Sequence, residues 1–215
     1  LVGSEMCIRD RENNEDTGTL QYLASTAMEA GFSTRVLDMQ ALDLQNGRFF
    51  DPAGELVNRC FKLYPWEWMV DESPDGCLAE MEWLEPIWKL VMSNKAILAT
   101  LYELFPDSPY VLPCYLSRPR SGLFCKKPVF SREGHNVSVV DIRNWEEHVR
   151  IAETEGDYNT GAYVYQEYVE PTVYSGRYPV IGSWIIGGEA AGIGIRENRM
   201  EVTDNLSEFV PHIIG

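Results

Sequence analysis

The sequence predicts a mixed α/β fold, in which a partial α/β layer is followed by a mainly antiparallel sheet. A run of apolar residues at helical spacing near the start precedes a short β-prone run at residues 34–37. This helix-then-strand order is typical of an α/β layer. After residue 122, Val, Ile, Tyr and Phe are concentrated in separate runs. Gly187 and Gly188 lie between two of those runs, which is typical of a β-hairpin.

The first predicted element is a helix with recognisable ends. Its apolar side chains recur every three or four residues, at Leu20, Leu23, Ala24, Ala27 and Met28. Asp16 or Thr17 can cap its start, and Gly31 fits its end. Further on, Gly54 predicts a turn between two short strands.

The middle of the chain is dense in aromatic residues and then helical. The segment FKLYPWEWMVDE is either core or the wall of a ligand cleft, and core is favoured because Trp and Tyr mostly pack. Residues 79–104 predict two helical stretches that meet at Ser93 and Asn94. The later strands are predicted at residues 123–130, 137–142, 162–168, 179–186 and 190–195.

Composition narrows the function classes. The chain has 215 residues and a formal net charge of −15, which argues against nucleic-acid binding, since phosphate contacts need Lys and Arg. No stretch approaches the roughly 20 apolar residues of a membrane helix. The five cysteines include no CxxC pair, so buried thiols in a reducing cytoplasm are favoured over a zinc site.

The opening LVGSEMCIRD shows no secretory signal and resembles translated adapter sequence. We therefore treat residues 1–12 as a candidate non-native leader and leave them out of the fold prediction.

Several segments carry residues suited to phosphate chemistry. In CKKPVFSREGHNVSVV, Lys127 leaves a strand and a glycine-bearing turn follows, so a cation and backbone N–H groups could cradle phosphates. Lys95 lies where the two helical stretches meet. Gln166 and Glu167 lie within a strand that could bind an adenine ring. Arg196 ends a glycine-rich strand and could stabilise developing negative charge. Each segment alone is equally well explained as ordinary surface or strand sequence.

The order of these segments resembles a known family. LYPWEW, SNKAIL, KKPVFSREG, VYQEYV, YPVIGSWIIGGEAAGIGIRE and FVPH resemble successive blocks of the glutathionylspermidine synthase family, whose ATP-grasp domain also occurs in shorter bacterial acid–amine ligases. The resemblance runs from about Asp16 to the last residue. It implies an ATP-grasp-like fold, with residues 13–75 as a remnant of the α/β pre-ATP-grasp part and residues 76–215 as the ATP-grasp domain.

The resemblance also implies roles for individual residues. Lys95 and Lys127 match the two lysines that contact nucleotide phosphates. The loop over the phosphates is matched by Arg132, Glu133, Gly134 and His135. The strand that holds adenine is matched by Gln166, Glu167, Tyr168 and Val169. Arg196 resembles the catalytic arginine near the reacting carboxylate and phosphate.

The implied reaction is ATP-dependent amide formation through an acyl phosphate, with Mg²⁺ as the metal ion. The implied substrates are small molecules: a glutathione-like peptide acid and a polyamine-like amine. One family feature is missing: we find no match to the acidic metal-binding block, so no metal ligand is assigned, and we expect an N-terminally truncated chain whose catalysis in isolation is severely slowed.

Two other classes remain as alternatives. The first is a catalytically inert binding or scaffold module that keeps the ATP-grasp shape. The second is a carbohydrate- or peptide-binding β-domain, suggested by Trp66, Trp68 and the sheet-rich second half, although it would not need the lysines at 95 and 127. Hydrolase chemistry is not favoured, because the chain has three His and no GxSxG motif.

Overall fold

The computed structural model describes residues 4–8, 14–151, 153–156, 158, 161–204 and 206–213. They form two compact units, Leu1–Met92 and Ser93–Gly215. The helices are α1 Asn14–Glu29, α2 Trp66–Glu72, α3 Pro74–Cys77, α4 Leu90–Ser93 and α5 Ala96–Leu104. The strands of the first unit are β1 Ser4–Ile8, β2 Thr34–Asp38, β3 Asp43–Gln45, β4 Arg48–Phe50, β5 Leu56–Val57, β6 Arg59–Lys62 and β7 Glu82–Leu84. Those of the second unit are β8 Cys114–Tyr115, β9 Gly122–Pro128, β10 Ser138–Arg143, β11 Glu146–Ile151, β12 Tyr163–Glu167, β13 Tyr178–Ile186, β14 Glu189–Asn198 and β15 Glu208–Val210.

The first unit is built on a parallel four-stranded sheet in the order β2-β1-β6-β7. Helix α1 packs Leu20 and Ala24 against Phe61 and Leu63. The predicted helix-then-strand layer is therefore confirmed. Strand β1, which the sequence analysis leaves out of the fold, lies between β2 and β6.

The aromatic segment of the first unit belongs to its core. Trp66 packs edge-on against Trp83, with ring centroids 5.4 Å apart, and Trp83 packs against Phe49 in the same way. The helix predicted from residue 79 is wrong at its start, because Glu82–Leu84 pairs with β6 instead. Strand pairing buries Trp83 against the aromatic cluster, and this packing outweighs local helical periodicity. The predicted break at Ser93 and Asn94 is confirmed, because it separates α4 from α5.

A buried lysine lies beside this aromatic core. The Lys62 ammonium donates to the Tyr64 carbonyl at 3.0 Å and lies 3.7 Å from the Trp66 ring centroid. Burial lowers the pKa of Lys62 from 10.5 to about 8, although Glu85 acts in the opposite direction.

We expect this lysine to make stability depend on alkaline pH. Below pH 8 the folded chain bears the cost of a buried charge, and above pH 10.5 both states are neutral. The free energy of unfolding should therefore rise between these values by about 2–3 kcal/mol relative to a Lys62→Met variant. Urea unfolding of both proteins across pH 7.5–10.5 measures this difference. If the free energy of unfolding changed with pH in the same way for both proteins, the burial of a charged lysine would be contradicted.

The second unit contains an antiparallel five-stranded sheet in the order β11-β10-β9-β12-β8. Helix α5 covers one face, where Ala99 packs with Cys114 and Val164. The opposite face carries a second cluster of Phe124, Val140, Ile142 and Tyr165. The predicted antiparallel second half is confirmed, and β9, β10 and β12 fall on the predicted runs.

A second antiparallel sheet in this unit has the order β13-β14-β15. The predicted hairpin is confirmed, because Gly187 and Gly188 join β13 to β14 with φ values of 59° and 86°. The boundary between compact units falls after Met92, whereas the predicted functional boundary at residues 75 and 76 stays a prediction.

Candidate functional site

Two adjacent lysines of β9 lie on opposite faces of the five-stranded sheet, as the two-residue repeat of a strand requires. Lys127 is directly opposite Val164, whose side chain is buried under α5. Lys126 is opposite Tyr165, on the other face. The alternation therefore places one lysine near α5 and the other in a separate polar network.

Lys126 is held in a structural ion pair. Its ammonium lies 2.9 Å from the Glu147 carboxylate, which also accepts from the Tyr165 hydroxyl at 2.7 Å. Burial favours protonation of Glu147, but hydrogen bonds from Lys126 and Tyr165 outweigh it and lower its pKa. Burial and the same hydrogen bond raise the pKa of Tyr165 to about 12. The charge of Lys126 is therefore already compensated within the sheet.

Lys127 has a different environment. Its ammonium donates to the amide oxygen of Gln166 at 2.7 Å, and its other neighbours include the thiols of Cys114 and Cys125. Burial raises the pKa of both thiols, which keeps them neutral at physiological pH. The half-buried ammonium of Lys127 thus has a neutral hydrogen-bond acceptor and neutral thiols beside it, and can attract an anion.

Lys95 joins the start of α5 to the segment after β9. Its backbone N–H donates to the Val129 carbonyl at 2.8 Å. Its ammonium donates to the backbone carbonyl of Ser131 at 2.5 Å and to the Ser131 hydroxyl at 2.9 Å. The second predicted lysine is therefore held at the beginning of the predicted phosphate loop.

The loop itself contains three residues with left-handed backbone: Glu133, Gly134 and Asn136, with φ of 52°, 74° and 54°. A Cβ atom on Gly134 would lie 2.1 Å from the Thr203 carbonyl oxygen, so only glycine fits this approach. The Thr154 hydroxyl donates to the Gly134 carbonyl. The loop is thus docked on residues far apart in the sequence.

These groups line one cavity of about 330 Å³. Its wall includes Lys95, Lys127 and Cys125, residues 131–134 of the loop, and residues 201–203. The basic residues Lys95, Lys127 and Arg132 line it, together with the acidic residues Glu133 and Glu201. A cavity of this size with an excess of basic residues is suited to a small anionic ligand.

A second cavity of about 770 Å³ shares Glu133, Gly134, Glu201 and Val202 with the first. His135 lines this larger cavity. The Tyr168 hydroxyl donates to Glu201 at 2.6 Å, and burial together with this bond raises the pKa of Tyr168 to about 12. The end of β12 is therefore tied to the wall between the two cavities.

The other predicted residues are not among those that line the smaller cavity. Gln166 accepts a hydrogen bond from Lys127, which does line it, whereas Glu167 lies on the opposite face of β12. Val169 is exposed just beyond that strand. Arg196 lies on β14, with its guanidinium 6.0 Å from the Phe209 ring centroid. Roles for these four residues, like those of the other predicted site residues, stay predictions.

Several residues of the cavity wall were not predicted from the sequence. Cys125 and Ser131 lie within motifs already recognised, and the alternation of β9 would have placed Cys125 beside Lys127. Glu201, Val202 and Thr203 follow the Arg-ended strand in a stretch without a local chemical signal. Only the fold brings them to the loop.

The comparison with known families decides the relationship. The sequence model described as "Glutathionylspermidine synthase preATP-grasp" matches residues 5–215. The chain belongs to the glutathionylspermidine synthase family. The predicted membership is confirmed over nearly the whole chain.

Relatives within the glutathionylspermidine synthase family are named as ligases or synthetases. A "Putative acid--amine ligase" of Haemophilus influenzae is 36% identical over 207 residues, which cover 92% of this chain and 53% of that protein. The "Bifunctional glutathionylspermidine synthetase/amidase" of Escherichia coli is 26% identical, covering 93% of this chain and 36% of that enzyme. The "Trypanothione synthetase" of Crithidia fasciculata is 36% identical over 59% of this chain and 19% of its own length. The chain thus spans about half the length of the acid–amine ligase and a smaller share of the other two relatives.

A solved structure has a similar fold. The crystal structure of the D-cycloserine synthetase DcsG superposes with a TM-score of 0.58 and 14% identity, covering 98% of this chain and 76% of that one. The predicted α/β, ATP-grasp-like fold is confirmed. Across the described residues, no helix combines the length and apolarity needed to cross a bilayer.

Proposed function

We propose that this chain binds ATP between its two predicted lysines and contributes that site to an ATP-dependent acid–amine ligase. The observation that carries the proposal is the cavity in which Lys127, Lys95 and the glycine loop meet. Family membership supports the reaction class, since relatives are named as an acid–amine ligase and a glutathionylspermidine synthetase.

The chemistry of the site supports a phosphate ligand. The Lys127 ammonium is half-buried and donates to an amide, and no ion pair joins it to a carboxylate of the described residues, so an incoming phosphate would supply a counter-charge. Lys95 is bound to neutral oxygens of Ser131, and a phosphate oxygen could replace them as acceptor. The tight loop at Gly134 lines the same cavity as both lysines, as a phosphate-binding loop would.

In the proposed reaction, ATP transfers its γ-phosphoryl group to a substrate carboxylate, and an amine nitrogen then displaces inorganic phosphate to form the amide. A carboxylate oxygen is a poor leaving group, and phosphorylation removes this obstacle. The protein's part is to orient the phosphates and compensate their charge with Lys127, Lys95 and Arg132. Arg196 is proposed to act near the reacting carboxylate, as the family resemblance implies.

The family implies a Mg²⁺ ion, which needs a group of oxygen ligands. Among the described residues, no three His, Cys, Asp or Glu side chains are grouped so that they could hold a metal ion. We therefore assign no step to a metal ion held by this chain.

The proposed substrates are a glutathione-like peptide acid and a polyamine-like amine, because relatives are named for glutathionylspermidine and trypanothione. We place the protein in the cytoplasm, where Cys77, Cys114 and Cys125, none of them in a disulfide, would stay reduced.

Direct titration of the chain with ATP tests the proposal. We expect saturable binding of ATP by calorimetry and none of a neutral sugar, since the cavity is lined by an excess of basic residues. An ATP hydrolysis assay with peptide acid and amine then separates binding from turnover. Binding without turnover agrees with the slowed catalysis that we expect of this chain in isolation. Absence of ATP binding would contradict the proposal and favour the inert scaffold alternative.

A further inference from the structure

We infer that Gln166 is a positioning residue for Lys127, and that its neutral amide is what keeps the ammonium charge available to nucleotide phosphates. The contact that carries the inference is the 2.7 Å hydrogen bond from the Lys127 ammonium to the Gln166 amide oxygen. The inference rests on the proposed function and assigns Gln166 a task other than holding the adenine ring.

The sheet register explains why these side chains meet. Lys127 is opposite Val164 and Cys125 is opposite Gln166, so Gln166 is the diagonal neighbour of Lys127 on the same face. On its other side, Gln166 is opposite Cys114 of β8. Gln166 therefore occupies the position in β12 from which a side chain can reach the Lys127 ammonium.

The neighbouring lysine shows what a carboxylate in this role does. Lys126 contacts Glu147 at 2.9 Å, and that pair compensates the charge within the protein. At Lys127 the corresponding acceptor is an amide, which orients the ammonium by a hydrogen bond without neutralising it. One strand thus holds two adjacent lysines, one with its charge compensated and one with its charge retained.

The amide also has a defined orientation. An ammonium group only donates hydrogen bonds, so the Gln166 oxygen must face Lys127 and its NH₂ group must face away. Replacing Gln166 with Glu would keep the shape and the acceptor but add an ion pair. Replacing it with Met would keep the approximate length and remove the acceptor.

The test asks whether Gln166 contributes to binding the phosphate groups of the nucleotide or its adenine base. Wild-type chain, Gln166→Glu and Gln166→Met are titrated with ATP, ADP, AMP and adenosine by calorimetry, with ligand-observed NMR for the weakest ligands. We expect Gln166→Glu to weaken ATP binding by about tenfold or more, since a charged hydrogen bond is at stake. The loss should shrink along the series and be within about twofold for adenosine. The melting temperature of Gln166→Glu should not fall, because the new carboxylate pairs with Lys127.

Each outcome decides between roles. An equal loss for ATP and adenosine would overturn the inference in favour of adenine holding, and so would unchanged ATP affinity in Gln166→Glu. If Gln166→Glu fails to fold, Gln166→Met must show the same phosphate-dependent pattern, and a uniform loss there would overturn the inference. Failure of the wild-type chain to bind ATP would instead overturn the proposed function, and the inference with it.

Discussion

Replacing Lys127 with Ala should weaken ATP binding by about 10- to 100-fold, the largest loss that we expect from a single substitution in this chain. The ammonium is half-buried, faces the candidate cavity and has an amide as its hydrogen-bond acceptor. Removing it takes away a half-buried positive charge that no neighbouring thiol or amide can replace. Calorimetric titration with ATP measures the loss.

Lys126→Ala is the matched control. It removes the same charge from the next residue of the same strand, but from the face where Glu147 lies 2.9 Å away. We expect ATP affinity within about twofold of wild type, because salt and solvent screen a charge already paired on the opposite face. Stability should fall by about 1 kcal/mol, since the Glu147 carboxylate loses the Lys126 hydrogen bond but keeps the one from Tyr165 and the ion pair with Arg118. Equal losses of ATP affinity in both variants would show that overall charge, and not the position of Lys127, controls binding.

Replacing Gly134 with Ala should disrupt the loop that lines both cavities. The added Cβ would lie 2.1 Å from a backbone oxygen of Thr203, and backbone cannot rotate away as a flexible side chain can. The φ of 74° is also unfavourable for Ala. We expect either a loss of about 3 kcal/mol in the free energy of unfolding or a displaced loop with at least about tenfold weaker ATP binding. Urea unfolding and ATP titration of the same preparation distinguish these results.

Gly176→Ala provides the comparison that isolates the contact. Gly176 has a φ of 76°, but a Cβ there would meet no atom within 4 Å. Its substitution should therefore lower the free energy of unfolding by only about 1–2 kcal/mol, the cost of placing Ala in a left-handed conformation. ATP affinity should be unchanged. If Gly134→Ala behaves like Gly176→Ala in both measurements, the close approach of the loop to Thr203 is not what holds the loop.

Much of the second unit could be predicted because its signals are local. Runs of β-prone residues and the glycine pair at 187 and 188 specify strands and a hairpin without knowledge of the rest of the fold. The same locality applies to the prediction made for the lysine of β9 and the loop after it. Both lie within one short, distinctive stretch of sequence.

Other features depend on contacts that sequence patterns do not reveal. The residues around Trp83 form a strand because β6 and the Trp66 ring are available to pair and pack with them. Thr203 reaches the loop across about seventy residues of chain, and its own neighbours give no sign of this contact. The alternate placement of Gln166 and Glu167 was predictable in principle, because adjacent strand residues point to opposite faces.

The paired lysines of β9 make strand register a determinant of chemistry. A slip of a single residue between β9 and its neighbours would turn every side chain of the strand to the other face. Lys127 would then lie on the face of Glu147, and Lys126 would lie on the face of Gln166 and the cavity. Two identical side chains are therefore made chemically distinct by hydrogen-bond register alone. A one-residue insertion near β9 would reassign the anion-facing lysine without changing the amino-acid composition of the dipeptide.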